Sequence, residues 1–188
     1  VVQTALALTL LVASGLLLRS FQQLRDVDPG YDTEGLVTFQ FAPDQDHLTD
    51  GPAWAGFHLA FLDRLRALPG VESAGIVENM PLDEGLGLVG FATDAGGGGD
   101  PDAGPRLNVT FAGGDYFQAA GIAVRQGRAF TDDDARIPGN VVISQAAADL
   151  LWPEGNAVGG RLRNSRIEAW HTVVGVVEDI RQYDFRDA

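Results

Sequence analysis

Four groups of residues in this sequence have types that could do chemistry, and spacing decides what each can be. The string Gly85-Leu86-Gly87-Leu88-Val89-Gly90 has the G-x-G-x-x-G form of a dinucleotide-phosphate loop. Such a loop must leave a strand and open a helix, so that the helix N-terminus faces the phosphates. Phe91 onward runs into glycine with no helical pattern, and no nucleotide site is expected there. The histidines His47, His58 and His171 lie far apart, with no i, i+4 pair and no acidic partner at helical spacing, so neither metal ligation nor acid–base work is expected. Asp132-Asp133-Asp134 follows Thr131; consecutive carboxylates lack the spaced oxygens and glycine of a calcium loop, and a helix cap with a solvated turn is the expectation. Ser14, Ser20, Ser73, Ser144 and Ser165 sit in no G-x-S-x-G elbow. No catalytic, cofactor or metal site is therefore expected.

Composition narrows the chemistry further. All 13 basic residues of the 188 are Arg, against 26 Asp and Glu, giving a formal charge of -13. With no Lys, a Walker A loop, a Schiff-base enzyme and a serine–lysine hydrolase each lose an obligatory group. The acidic excess lacks the basic face that nucleic-acid binding needs. The absence of Cys removes disulfide scaffolds, thiolate zinc sites and cysteine nucleophiles, and leaves the compartment open.

The elements that would carry any function begin with an apolar run. Val1 to Leu18 holds no charge, thirteen of its eighteen residues are Val, Ala or Leu, and it ends at Arg19. Eighteen helical residues cover roughly 27 Å, close to the hydrocarbon thickness of a bilayer, and a transmembrane helix is the leading expectation. A signal peptide is the rival, because Ala13, Ser14 and Gly15 are small, but Leu16, Leu17 and Leu18 carry the run past such a cleavage site. A buried core helix fits less well, since a soluble helix usually shows a polar face. From Arg19 to Asp50 two Arg face seven acids, a poor cytoplasmic flank, so the remainder is expected outside the cytoplasm. The start at Val1, with no Met, suggests a fragment whose upstream part is missing.

Beyond this segment short strands and helices alternate. Asp28-Pro29-Gly30 signals a turn, and Val37, Phe39 and Phe41 alternate with Thr38 and Gln40 as in a half-buried strand. Asp50 can cap a helix with Pro52 in its first turn; Trp54, Phe57, Phe61, Leu65 and Leu68 form its apolar stripe, and Pro69-Gly70 ends it. Val71 to Val77 would then return as a second strand, making a β-α-β unit. Ala95 to Pro105, with five Gly and two Pro, reads as a flexible surface loop. In the second half, alternation over Arg106 to Phe111 suggests a strand, and a short helix is expected at Tyr116 and Phe117. Ile122 and Val124 begin another strand, Val141 to Ile143 a buried one, Gln145 to Trp152 a helix, and Thr172 to Val177 a last buried strand. The fold class expected is α+β: an N-terminal transmembrane helix followed by an extracytoplasmic domain with β-α-β units in one or two lobes.

The order of these features resembles a known family. Val2 to Phe21 followed by Val27-Asp28-Pro29-Gly30-Tyr31-Asp32 is similar to the membrane exit of MacB-like, FtsX-like ABC-transporter permeases. Further similar strings follow in family order: Arg64 to Glu72, Met80-Pro81-Leu82, Asp115-Tyr116-Phe117 with Gly121-Ile122, Gly127 to Thr131 with Asp134, Trp152-Pro153 with Gly159, and Thr172 to Arg181. The chain departs from the pattern at Ser144-Gln145, where Asn-Glu is common, and at Gly160, where a basic residue is frequent. The resemblance covers nearly the whole chain and implies a membrane helix with its extension over 1–25 and a MacB-like periplasmic core domain over 30–188, with more membrane helices downstream. It further implies a permease subunit with no ATPase site of its own, in the inner membrane and surrounded by lipid. Its partners would be a cytoplasmic ABC ATPase subunit, a second permease half or homodimer partner, and a periplasmic adaptor, with no nucleic acid. The alternative is the extracytoplasmic sensor domain of a membrane receptor, which also follows a membrane helix.

Overall fold

The computed structural model describes residues 2–25, 35–43, 48–78, 87–167 and 169–180. Helix α1, Val2–Arg25, takes in the uncharged run from Val2 to Leu18. The Asp28-Pro29-Gly30 turn, Met80-Pro81-Leu82 and His47 lie outside the described residues.

Helix α2, Gly51–Arg66, begins where its sequence signals place it: the Asp50 carboxylate accepts from the Ala53 N–H at 2.8 Å, and Pro52 fills a first-turn position that needs no donor. The chain leaves through Gly70 at φ +86°, a left-handed conformation that glycine adopts without steric cost. Its burial departs from the expected stripe. Leu59 and Leu62 are the buried residues of the helix, whereas Trp54, Phe57, Phe61 and Leu65 are half-buried and Leu68 is exposed.

The strand expected at Val37 to Phe41 is not formed. Residues 36–43 join no ladder, and Phe39 and Phe41 lie against α2, the Phe41 ring centroid 4.7 Å from that of Phe61 and 6.1 Å from that of Phe57. Alternation correctly marks a segment with one apolar side, but the surface its two Phe rings meet is a helix, and both rings stay partly exposed. The β-α-β unit expected around α2 is absent for the same reason. Strand β1, Gly75–Val77, takes the later half of the expected return strand and pairs antiparallel with β4, Ala112–Gly114.

The larger sheet has six strands. β2 (Leu88–Thr93) lies between β3 (Arg106–Asn108) and β7 (Arg161–Asn164), antiparallel to both. β8 (His171–Val177) pairs antiparallel with β7 at its start and with β5 (Val124–Gly127) at its end, and parallel with β6 (Asn140–Ser144). The parallel pair is joined by a crossover that contains α5, Gln145–Leu151, so the β-α-β connection occurs in the second half of the chain. Val173 and Val176 of β8 are fully buried, as a continuous apolar run between covered faces requires. They pack with Val89, Phe91, Leu151, Trp152 and Leu162. A second cluster centres on Tyr116 and Phe117 of the short helix α3 (Tyr116–Ala119) and takes in Val77, Ala112, Val142 and Val177, so the two sheets share a core.

Sequence patterning did not reveal β2 or β7, and it read Arg106 to Phe111 as one strand. β3 ends at Asn108 and the next strand begins at Ala112 in the other sheet. Nor does Ala95 to Pro105 run free over the surface. A turn closes with Gly98 N–H donating to Thr93 O at 2.9 Å, a 3₁₀ turn at Pro101–Ala103 follows, and Phe91 N–H donates to Pro105 O at 2.9 Å. Gly90 and Gly104 let these two backbones touch, since a Cβ at either would strike a carbonyl of the opposing segment.

Candidate functional site

The described residues build contacts between elements, and no cluster of three or more His, Asp or Glu among them could hold a metal. The first contact surface is α1. Val2–Gln22 is long and apolar enough to cross a membrane, and its residues are exposed. Exposed leucine costs about 25 cal/mol per Å² of apolar area in water, so such a helix calls for an apolar surrounding.

The second is the aromatic face of α2. Phe57 and Phe61 stack near-parallel, Phe39 meets Phe61 edge-on, and Trp54 and Phe57 flank the His58 ring. Burial lowers the His58 pKa, disfavouring the charged imidazolium. Its neighbours are rings, so it packs as an aromatic side chain.

Two arginine nodes then tie elements together. Arg66, in the last turn of α2, donates from Nε to Asp115 Oδ2 at 2.8 Å and from Nη1 to Asp132 Oδ2 at 3.0 Å. These bonds join α2 to the β4–α3 corner and to α4, Asp132–Arg136. Asp115 Oδ2 also accepts from Ala74 N–H at 3.3 Å, which carries the node into the approach to β1. The bonds from Asp132 first, then Asp115, raise the Arg66 pKa. At the second node Arg128 donates to both carboxylate oxygens of Asp134, at 2.6 and 3.0 Å. Asp134 also accepts from Thr131 N–H at 2.7 Å, Thr131 Oγ1 at 2.9 Å and Asn140 Nδ2 at 2.6 Å. The Arg128 guanidinium, helped by these donors, holds the Asp134 carboxyl well below the usual carboxylate range. Asp134 occupies the N3 position after Thr131, the reciprocal arrangement of a capping box.

The three consecutive Asp thus diverge, Asp132 to Arg66, Asp133 to Arg136 and Asp134 to Arg128, which is the arrangement of a cap and its braces. The described part of the glycine string, Gly87 to Gly90, leads into β2 and not into a helix, so it offers no helix N-terminus to a phosphate. Ser144 caps α5, its Oγ accepting from Ala147 N–H at 3.2 Å. Ser165 is exposed just after β7. His171 opens β8, with Nδ1 buried and unpartnered. Arg161 and Arg163 stand over the Trp170 ring, 5.6 and 5.2 Å from its centroid, while Arg163 donates to Gly98 O at 2.9 Å and holds the glycine-rich turn in place. Sequence reasoning singled out neither arginine node. Arg66, Asp115, Arg128 and Asp134 all fall within the family-like strings, but the partners of Arg66 lie 49 and 66 residues away.

Fold and site together define an α+β domain carried on an apolar helix of membrane-crossing length, with its polar side chains invested in joints between elements. The chain belongs to the MacB-like periplasmic core domain family, whose profile matches residues 4–187. No curated protein matches it. Among solved structures it is similar to the periplasmic region of MacB from Actinobacillus actinomycetemcomitans, with 17% identity and a TM-score of 0.43 over 67% of this chain and 52% of that one. It is also similar to the extracellular domain of the ABC-type transporter YknZ from Gram-positive bacteria, with 20% identity and a TM-score of 0.43 over 74% of this chain and 65% of that one. The chain spans less than two thirds of either solved region.

Proposed function

We infer that this chain is the extracytoplasmic core domain of an ABC-transporter permease in the inner membrane, and that it couples ATP hydrolysis by a separate cytoplasmic subunit to movement and export on the periplasmic side. The observation that carries this reading is the family match over residues 4–187, which begins inside the apolar helix and runs through the whole α+β domain. Residues 1–25 are then the membrane helix with its extension, and residues 30–188 the periplasmic core domain. The permease has no ATPase site of its own; the missing Lys and the strand context of Gly87 to Gly90 support this. Lipid surrounds α1, and a second permease half or a second copy completes the membrane unit, with a periplasmic adaptor as a further partner and no nucleic acid.

In this mechanism tilt of the membrane helix reaches the domain through the short stretch around Asp28-Pro29-Gly30. Six Gly/Ser residues inserted after Gly30 spread the end-to-end distance and transmit little force. In proteoliposomes with the partner ATPase, the insertion is expected to leave membrane insertion and ATP hydrolysis intact while abolishing most ATP-driven transport. Unchanged transport per ATP would remove the mechanical reading.

A further inference from the structure

Helix α2 fully buries few apolar side chains. Its buried residues are Leu59 and Leu62, and Leu62 packs so closely on the backbone at Gly114 that a Cβ there would overlap its methyl group. Among the described residues, the side-chain hydrogen bonds from the helix to other elements come from Arg66. Its side chain is 25% exposed and spends its planar fork on two carboxylates from two different elements, Asp115 and Asp132. Charge-assisted bonds of this kind are about twice as strong as neutral ones, and the guanidinium geometry lets one side chain serve both acceptors, which a point-charge ammonium does not reproduce. On the other face of the same helix rests the Phe39–Phe41 segment, held by ring contacts with Phe57 and Phe61. The segment and α2 therefore form one packed unit, and Arg66 sits where that unit meets the body of the domain.

We propose that Arg66 is a positioning residue that locks the unit of α2 and residues 35–43 onto the β4–α3 corner and α4, so that movement entering this unit is delivered to the sheets instead of being lost at the joint. The second half of this statement rests on the permease reading; the first half does not.

The test uses the intact membrane protein in nanodiscs with Arg66→Gln, Arg66→Lys and Asp132→Asn. Hydrogen exchange is followed for amides of residues 54–66 in α2 and residues 171–177 in β8. Selective unlocking is expected to speed α2 exchange about tenfold in Arg66→Gln and less in Arg66→Lys and Asp132→Asn, with β8 unchanged. Equal acceleration of both elements would make Arg66 a contributor to global stability only and overturn the proposal, as would no acceleration. Transport per ATP in proteoliposomes is then expected to fall several-fold in Arg66→Gln. Selective α2 loosening with unchanged transport per ATP would overturn the delivery of movement through this joint. Absence of ATP-driven transport in the unaltered protein would instead overturn the permease reading, while the exchange data would still decide whether Arg66 holds α2.

Discussion

Asp133 and Asp134 are neighbours of the same type, and only their surroundings separate them. The Asp134 side chain is 8% exposed and receives four kinds of donor, whereas that of Asp133 is 84% exposed beside Arg136. Removing an acceptor that serves a charged donor and a helix cap costs about 1–3 kcal/mol, while a solvated ion pair is worth about 0–1. Asp134→Ala is therefore expected to lower the denaturant midpoint clearly, and Asp133→Ala to leave it nearly unchanged. The same difference governs pH. Because the folded Asp134 pKa lies below its unfolded value, its contribution is complete above the ordinary carboxylate pKa of about 4 and is lost as pH falls through the folded value. The stability difference between the unaltered protein and Asp134→Asn, followed by denaturation from pH 7 downward, should stay constant until about pH 4.5 and then shrink, so that the Asp134→Asn protein shows a shallower acid limb.

At the scale of elements, α2 shows why a stripe of large residues does not identify the buried face. Trp54, Phe57, Phe61, Leu65 and Leu68 have helical spacing, yet the buried residues of the helix are Leu59 and Leu62, and Leu62 meets β4 at Gly114. Leu62 is 1% exposed and Leu68 53% exposed. Leu62→Ala is expected to cost about 2–5 kcal/mol through lost burial and the cavity left against Gly114, and Leu68→Ala under about 0.5. Thermal unfolding of the two variants would measure this difference, and equal losses would return the burial to the stripe. Capping, by contrast, is local. Asp50 at the start of α2, where the sequence signals a cap, accepts from the N–H three residues on, and Ser144 at the start of α5 does the same without having been singled out as a cap.

For the molecule as a whole, the family match makes the α+β domain a MacB-like periplasmic core domain, and the helix before it is of membrane-crossing length; the permease reading, with which the acid-rich flank agrees, puts that domain across the membrane from the proposed ATPase partner. The chain has no Cys, so a single introduced thiol reports its own side of the membrane. Ser165, exposed after β7, is a suitable position. In intact spheroplasts Ser165→Cys is expected to react with an impermeant maleimide as completely as after lysis. Labelling only after lysis would reverse the orientation.

The apolar helix of membrane-crossing length, the fold class, the Asp50 cap and the family are written in properties that neighbouring residues hold in common. Charge-free length, helical or strand period and donor-acceptor spacing act over a few residues, and each can be read from the order of side chains alone. Partner choice is different in kind. Whether Phe39 and Phe41 would pair as a strand or rest on α2, and whether Arg106 to Phe111 would stay in one sheet, depended on which surface was available to cover each apolar side. The ladder of β2 and β7 and the contact between Gly90 and the Pro101 turn are set by close approach of segments far apart in sequence. The Arg66 node is the clearest case, because a guanidinium finds two carboxylates 49 and 66 residues away only after the chain has folded around it.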